Sequence, residues 1–198
     1  MKLVLASSNP GKLEELRDLL ADTGIELIAQ SDLGVGDAEE TATTFVENAL
    51  LKARHAAAAT GLPALADDSG ICVDALGGAP GLYSARYSGA HGDAQANIDK
   101  LLGALRGKPV EQRTAHFYAV IVMLRHAGDP QPIIAEGVWP GLILEERRGD
   151  GGFGYDPVFF DPQTDRSAAE LEPSLKNRIS HRGRALAALR EKLLAAIG

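Results

Sequence analysis

Segments that suit strands alternate with segments of helical periodicity in the first half of the chain, and this alternation constrains the fold most. Residues 2–6 form an apolar run typical of a buried strand, and leucines spaced for one helical face follow from residue 12. Residues 44–60 predict a long alanine-rich helix that Gly61 ends. Strand patterns cluster in the middle of the chain, so the whole sequence predicts an α/β protein with a mixed sheet.

The remaining elements are predicted from shorter patterns. Further strands are expected at 26–29, 63–66, 71–73, 116–125 and 133–139. Further helices are expected at 97–105 and 180–197, and loops at 31–43 and 149–154. The turn at 128–130 is expected to pair the last two strands with each other.

Composition excludes several classes of partner. The chain has 198 residues, which fits one domain, and a formal net charge of −7, which argues against general nucleic-acid binding. Its single cysteine permits no intrachain disulfide. No apolar run reaches transmembrane length and residues 1–6 do not resemble a signal peptide, so we expect a cytoplasmic protein without a membrane partner.

The first candidate site is Ser7-Ser8-Asn9-Pro10-Gly11-Lys12, between the first predicted strand and helix. A helix N-terminus offers free backbone N–H groups and the positive end of the helix dipole, which suit phosphate. Lys12 adds a full charge, and Ser8 and Asn9 add hydrogen-bonding groups. The glycine spacing is not that of a Walker A loop, and an ordinary capped helix is the alternative.

Carboxylates form the second candidate site. Asp67 and Asp68 follow the apolar pair Leu65-Ala66, and two adjacent carboxylates are costly to bury without a cation. Oxygen ligands favour magnesium or manganese, and Glu40 in the acidic loop offers another carboxylate. A solvated turn at Asp67-Asp68 and a solvated charge pair at Glu39-Glu40 are the alternatives.

Two further segments suit a nucleobase. Phe153 and Tyr155 lie in a glycine-rich loop and offer flat faces on which a base can stack. After the candidate N-cap Ser180, His181 and Arg182 can donate hydrogen bonds to a base carbonyl. An aromatic-bearing turn and a capped surface helix are the alternatives. Together with the phosphate and metal candidates, these segments supply the parts of a nucleotide-hydrolysing site.

At these segments the sequence resembles the inosine/xanthosine triphosphate pyrophosphatases, the Ham1-like family. The matching stretches occur in family order, span nearly the whole chain, and are residues 7–12, 44–49, 52–53, 66–70, 76–81, 84–87, 153–157 and 180–182. One departure is Ser7-Ser8, where many members carry Thr-Gly, and a hydroxyl is kept at residue 7.

The resemblance implies one NTP pyrophosphatase domain over residues 1–198. It would have two lobes, a long central mixed sheet flanked by helices, and an active-site cleft between the lobes. The implied reaction hydrolyses ITP, dITP or XTP to the monophosphate and pyrophosphate, with Mg²⁺ or Mn²⁺. A homodimer is also implied, and the apolar neighbourhood of Trp139, larger than one small core needs, favours it.

The resemblance also implies roles for single residues. Ser7 to Lys12 would bind the triphosphate with help from Lys52. Glu40 and Asp68 would hold the metal, and Asp68 would be the general base. The other substrate-binding residues would be Ser69, Phe153, Gly154, Tyr155, Asp156, Lys176, His181 and Arg182.

Two alternatives stay open at this point. One is the related Maf-like group, which hydrolyses pyrimidine or modified nucleotides, although Ser180-His181-Arg182 favours the purine group. The other is a nucleotide-binding regulator without turnover, against which the metal and base candidates count.

Donors at His181 and Arg182 would bond a carbonyl at purine position six but oppose the adenine amine, so we expect ATP to be a very poor substrate. That carbonyl is also present in guanine, so GTP must be rejected through its amine at position two.

Overall fold

The computed structural model describes residues 1–89 and 92–197, in which five α-helices and seven strands occur. The helices are α1 (Pro10–Leu20), α2 (Phe45–Thr60), α3 (Ala94–Ala104), α4 (Pro173–Ile179) and α5 (His181–Ile197). The strands are β1 (Lys2–Leu5), β2 (Glu26–Ala29), β3 (Ala64–Val73), β4 (Thr114–Leu124), β5 (Ile133–Ile143), β6 (Phe159–Asp161) and β7 (Arg166–Ser167).

The strands form one sheet in the order β2-β1-β3-β4-β5-β6-β7. Strand β1 pairs in parallel with both β2 and β3, whereas β6 pairs antiparallel with both β5 and β7. The sheet is therefore mixed, which confirms the predicted fold class. Strands β4 and β5 are neighbours, as the predicted turn at 128–130 requires.

Local sequence signals explain where the helices begin and end. The Asn9 side chain accepts hydrogen bonds from the backbone of Gly11 and Lys12 and so caps α1. Thr44 caps α2 by accepting from Glu47, and Gly61 ends that helix in a left-handed conformation with φ of 68°. None of the described helices is both long and apolar enough to span a membrane.

Strand β3 differs from its prediction. The sequence indicated two short strands separated by a turn at residues 67–70, but one strand runs unbroken from Ala64 to Val73. The polar residues interrupt the apolar pattern without interrupting the backbone, because the two buried aspartates meet cationic side chains, as described below. The solvated-turn alternative is therefore wrong.

The chain divides into two compact units, the number of lobes that the resemblance implies. Unit 1 comprises residues 1–68, 119–137 and 182–198, and unit 2 comprises residues 69–118 and 138–181. Each has its own apolar core: Leu3, Leu16 and Leu186 belong to that of unit 1, and Ile98 and Trp139 to that of unit 2. The single domain over residues 1–198 and the cleft stay predictions.

The aromatic core of unit 2 corrects one expectation. Trp139 is 1% exposed and packs against Phe117 and Phe159, with ring centroids 6.2 Å and 4.9 Å away. The apolar surface of Trp139 is thus buried within unit 2. Trp139 itself therefore supplies no surface for a dimer, whereas its neighbour Val138 is 44% exposed, and the homodimer stays a prediction.

Candidate active site

The turn between β1 and α1 in unit 1 holds the predicted phosphate-binding segment. Pro10 has no N–H, Gly11 and Lys12 donate theirs to the Asn9 side chain at 3.0 and 3.2 Å, and Leu13 donates to the Asn9 carbonyl at 3.1 Å. The expectation of free N–H groups at this helix terminus is therefore wrong, because Asn9 engages them. What remains for an anion is the helix dipole, the Lys12 ammonium and the nearby hydroxyls.

A buried network of charges surrounds Lys12. Its ammonium lies 2.6 Å from Oδ1 of Asp67, whose side chain is fully buried. Nε of Arg182 lies 3.5 Å from the other carboxylate oxygen of Asp67, and the Arg182 guanidinium also hydrogen-bonds to Glu15. The network joins α1, β3 and α5 within unit 1, and the structure thus brings two predicted substrate ligands to one carboxylate.

The electrostatics of Asp67 follow from this network. Burial alone would raise the pKa of Asp67, but the charges of Lys12 and Arg182 outweigh burial and hold the pKa well below its ordinary value. Asp67 is therefore a carboxylate anion with two cationic partners. These two cations offset the energetic cost of burying the Asp67 carboxylate, which was expected from the sequence.

Asp68 lies in a second cluster of unit 1. The Lys52 ammonium donates to Oδ1 of Asp68 at 2.8 Å and to Oε1 of Glu40 at 3.0 Å. Burial disfavours the charged form of Lys52, but the two carboxylates outweigh burial and raise its pKa. Burial also raises the pKa of Asp68, which Lys52 opposes only in part. A carboxylate with a raised pKa is a better proton acceptor.

The Asp68 cluster fits a divalent cation in its donor chemistry. Asp68 and Glu40 approach one positive charge with carboxylate oxygens, and Mg²⁺ is bound through one or two carboxylates together with substrate phosphates and water. Across the described residues, no group of three or more acidic, histidine or cysteine side chains could hold a metal by itself.

The acidic loop carrying Glu40 is tied to the phosphate-binding segment. The Ser8 hydroxyl donates to Oδ2 of Asp37 at 2.6 Å, and the amide of the buried Gln30 donates to Oδ1 at 2.6 Å. Glu40 itself is held by Lys52. Asp37 thus fixes the loop from which Glu40 extends and orients the Ser8 hydroxyl.

In unit 2, Asp156 and Lys176 form the polar centre of the predicted nucleoside pocket. The Lys176 ammonium donates to Oδ2 of Asp156 at 2.7 Å and lies 4.6 Å from the ring centroid of Phe153. The same oxygen of Asp156 accepts from the Phe153 backbone at 2.8 Å. A Cβ on Gly152 would lie 2.1 Å from Oδ2 of Asp156, and its φ of +72° suits glycine, so this loop requires a glycine there.

The two aromatic candidates of this loop lie in different surroundings. Phe153 is 42% exposed. Tyr155 is 5% exposed, belongs to the unit 2 core, and donates its hydroxyl to the Ser84 carbonyl at 2.8 Å. A ring so enclosed offers no face to a base, so the expected stacking is corrected to Phe153 alone. Gly154 and Asp156 adjoin Tyr155 in the same loop.

His181 is buried in unit 2 against an aromatic ring. Its imidazole stacks on Phe117 with ring centroids 4.7 Å apart and an interplanar angle of 12°. Phe117 in turn contacts Phe159, with centroids 4.6 Å apart. His181 is thus held by packing, while Arg182, the next residue, belongs to the charge network of unit 1. Ser69, half-buried, follows Asp68 in β3 and belongs to unit 2.

Sequence reasoning missed three residues that contact predicted ligands, Glu15, Asp37 and Phe117, and it missed Gln30, which contacts Asp37. Glu15 had a usable signal, because it lies one helical turn after Lys12 on α1. Asp37 and Phe117 carried none, because they contact Ser8 and His181, which lie far from them in the chain. The helix α4, which positions Lys176, was also missed, although Pro173 at its first position is a typical helix start.

Comparison with known proteins identifies the family. The sequence model of the Ham1 family matches residues 3–192. A dITP/XTP pyrophosphatase from Xanthomonas oryzae pv. oryzae is 65% identical over 193 residues, which cover 98% of this chain and 97% of that protein. The chain belongs to the Ham1 family.

Solved structures agree with this assignment. The structure of a HAM1 protein from Coxiella burnetii matches with a TM-score of 0.91 and 50% identity, covering 98% of this chain and 99% of that one. The Ham1 protein of Staphylococcus aureus matches with a TM-score of 0.88 and 39% identity, covering 99% and 100%.

Proposed function

We propose that the protein is a nucleoside triphosphate pyrophosphatase that hydrolyses the non-standard purine nucleotides ITP, dITP and XTP to the monophosphate and pyrophosphate. The observation that carries this proposal is the pairing of Lys52 with both Asp68 and Glu40. A cation shared by a carboxylate of β3 and a carboxylate of the acidic loop is suited to exchange partners when a highly charged phosphate arrives. The name dITP/XTP pyrophosphatase, given to relatives at 58–65% identity, supports the same reaction.

The phosphate-binding part of the proposal rests on unit 1. The Lys12 and Lys52 ammonium groups neutralise the negative charge that otherwise repels an attacking water. The Ser7 and Ser8 hydroxyls and the Asn9 amide orient the phosphate oxygens at the positive end of α1. In the structure Asn9 accepts hydrogen bonds from the first N–H groups of the helix. When phosphate binds, some of these N–H groups would donate to the phosphate in place of Asn9.

Asp68 is proposed as the general base. It accepts the proton of the attacking water at a carboxylate oxygen, and its raised pKa favours that transfer. Mg²⁺, held by Asp68 and Glu40 when bound, would polarise the phosphoryl oxygens and stabilise the leaving pyrophosphate. Lys52 contacts both carboxylates and so keeps them oriented before substrate arrives.

The base-binding part of the proposal rests mainly on unit 2. The exposed ring of Phe153 stacks on the purine. The Lys176 ammonium lies over the same ring, and this cation–π contact helps to hold the ring in place. Asp156, Lys176 and His181 supply hydrogen-bonding groups at fixed positions, and Ser69 contacts the substrate. From the family resemblance we propose that Arg182 donates to the carbonyl at position six; in the structure its guanidinium contacts Asp67 and Glu15.

Two properties of the whole protein are proposed from the family resemblance. We propose a homodimer, which sedimentation at micromolar concentration tests directly, since a monomer there would contradict it. We also propose a cytoplasmic location, where nucleoside triphosphates are used.

The test of the reaction is a product analysis with ITP. We expect one inosine monophosphate and one pyrophosphate per turnover, with activity lost on chelation and restored by Mg²⁺. Release of orthophosphate with inosine diphosphate would refute the proposed bond cleavage. Binding of ITP without any product would support a regulator instead.

A further inference from the structure

Asp67 and Asp68 are neighbours in sequence but contact different cations. Successive side chains of an extended strand point to opposite faces of its sheet. In β3, Asp67 accordingly contacts Lys12 and Arg182, whereas Asp68 contacts Lys52, which Glu40 also binds. The two carboxylates therefore have different chemical environments despite identical side chains.

The surroundings of Asp67 disfavour the binding of a divalent cation in addition to one at Asp68. Its side chain has no exposed surface, and each of its oxygens faces a positive group: Oδ1 the Lys12 ammonium at 2.6 Å, Oδ2 the Arg182 guanidinium at 3.5 Å. A metal ion at either oxygen would lie against a like charge, which costs energy in a buried environment.

Lys12 and Arg182 come from helices that are far apart in sequence, and Asp67 lies between their charges. A lysine has four rotatable bonds, so an unrestrained ammonium would lose considerable freedom on binding a phosphate. Contact with a carboxylate that is fixed in a strand removes much of that freedom beforehand, as preorganised binding sites require. The Lys12 side chain remains 16% exposed, so a ligand can still reach it.

We propose that Asp67 is a positioning residue: it holds Lys12 and Arg182 in place for the substrate and does not ligate the metal. The inference rests on the proposed role of Lys12 in binding triphosphate. Asp67 should therefore affect the affinity for triphosphate, through Lys12. It should affect neither the metal requirement nor proton transfer.

The experiment measures binding of inorganic pyrophosphate by calorimetry and the kinetics of ITP hydrolysis for Asp67→Asn. We expect the pyrophosphate Kd and the KM for ITP to rise by up to about 10-fold, because an effect that passes through Lys12 cannot exceed the loss of that one charge-assisted contact, with a much smaller change in kcat. The Mg²⁺ concentration at half-maximal rate should stay that of the wild type. An increase in that concentration, with KM restored at saturating Mg²⁺, would show that Asp67 is a metal ligand and overturn the proposal.

A double-mutant cycle tests whether the effect passes through Lys12. In a Lys12→Ala background, Asp67→Asn should weaken pyrophosphate binding by far less than it does in the wild type. Equal weakening in both backgrounds would overturn the proposal. If Asp67→Asn does not fold, Asp67→Glu replaces it, because it keeps the charge and displaces the carboxylate by one methylene, and the same non-additivity is expected.

Asp129→Asn is the matched control. Asp129 is another buried aspartate of unit 1, paired with Arg125 at 2.6 Å in the turn between β4 and β5. The Asp129→Asn change should lower the melting temperature and leave the pyrophosphate Kd unchanged. If Asp67→Asn also lowers the melting temperature without changing the pyrophosphate Kd, then Asp67 has a purely structural role and the proposal is overturned. Failure of wild-type protein to hydrolyse any purine triphosphate would refute the proposed function separately, because the pyrophosphate-binding cycle requires no turnover.

Discussion

Replacing Arg182 by methionine should destabilise the protein far more than the same change at an exposed arginine. The Arg182 side chain is 3% exposed and pairs with Asp67 and Glu15, so its removal leaves carboxylates buried without that cation. Breaking a buried ion pair by removing one partner costs about 3–5 kcal/mol. Because Lys12 still pairs with Asp67 and Glu15 is partly exposed, we expect about 3 kcal/mol, the lower end of that range.

Arg190→Met is the control, and urea unfolding at constant ionic strength is the assay. Arg190 lies in the same helix and pairs with Asp22 at 3.1 Å, but the two side chains are 51% and 66% exposed. An exposed pair contributes at most about 1 kcal/mol, and the same side chain is replaced by the same residue in both variants. Equal losses of about 1 kcal/mol or less for both variants would refute the reasoning about burial.

Three further predictions address the site. Asp68→Asn should lower kcat for ITP about a hundredfold or more while the urea midpoint changes little, because an amide cannot accept the proton; near wild-type turnover at saturating Mg²⁺ would contradict this. Lys12→Ala should raise the KM for ITP about tenfold through loss of a charge-assisted phosphate contact, and unchanged kinetics would make Lys12 a purely structural partner of Asp67. Phe153→Ala should weaken ITP binding by about 1–3 kcal/mol and leave inorganic pyrophosphate binding unaltered, and calorimetry with both ligands distinguishes this from a general loss of the site.

The helices and strands with strong local patterns were predictable. Helix α2 had a capping threonine, an alanine-rich body and a terminal glycine, and the structure begins and ends it within one residue of the prediction. Helix α3 began three residues earlier than predicted, because Asp93 caps it by accepting from Ala96. Strands β6 and β7, of three and two residues, carried too little pattern to be predicted.

The predicted site residues depended on contacts that sequence cannot show. Composition marked Asp67 and Asp68 as one acidic pair, whereas strand geometry separates them into two clusters with different cations. Likewise Phe153 and Tyr155 looked equivalent, yet only Phe153 remains accessible because the Tyr155 ring fills the core of unit 2. Residue type predicted the chemistry, but the direction of each side chain required the fold.

The most direct test of the central claim is the specificity constant kcat/KM for ITP, XTP, ATP, GTP and UTP, measured by pyrophosphate release under one set of conditions. We predict that ITP and XTP exceed ATP by about 10⁴ or more, because the proposed donors His181 and Arg182 would bond a carbonyl at position six and oppose the adenine amine. GTP should also be poor, through its amine at position two, and UTP should be a negligible substrate. Comparable constants for ATP and ITP, or a preference for UTP, would contradict the account.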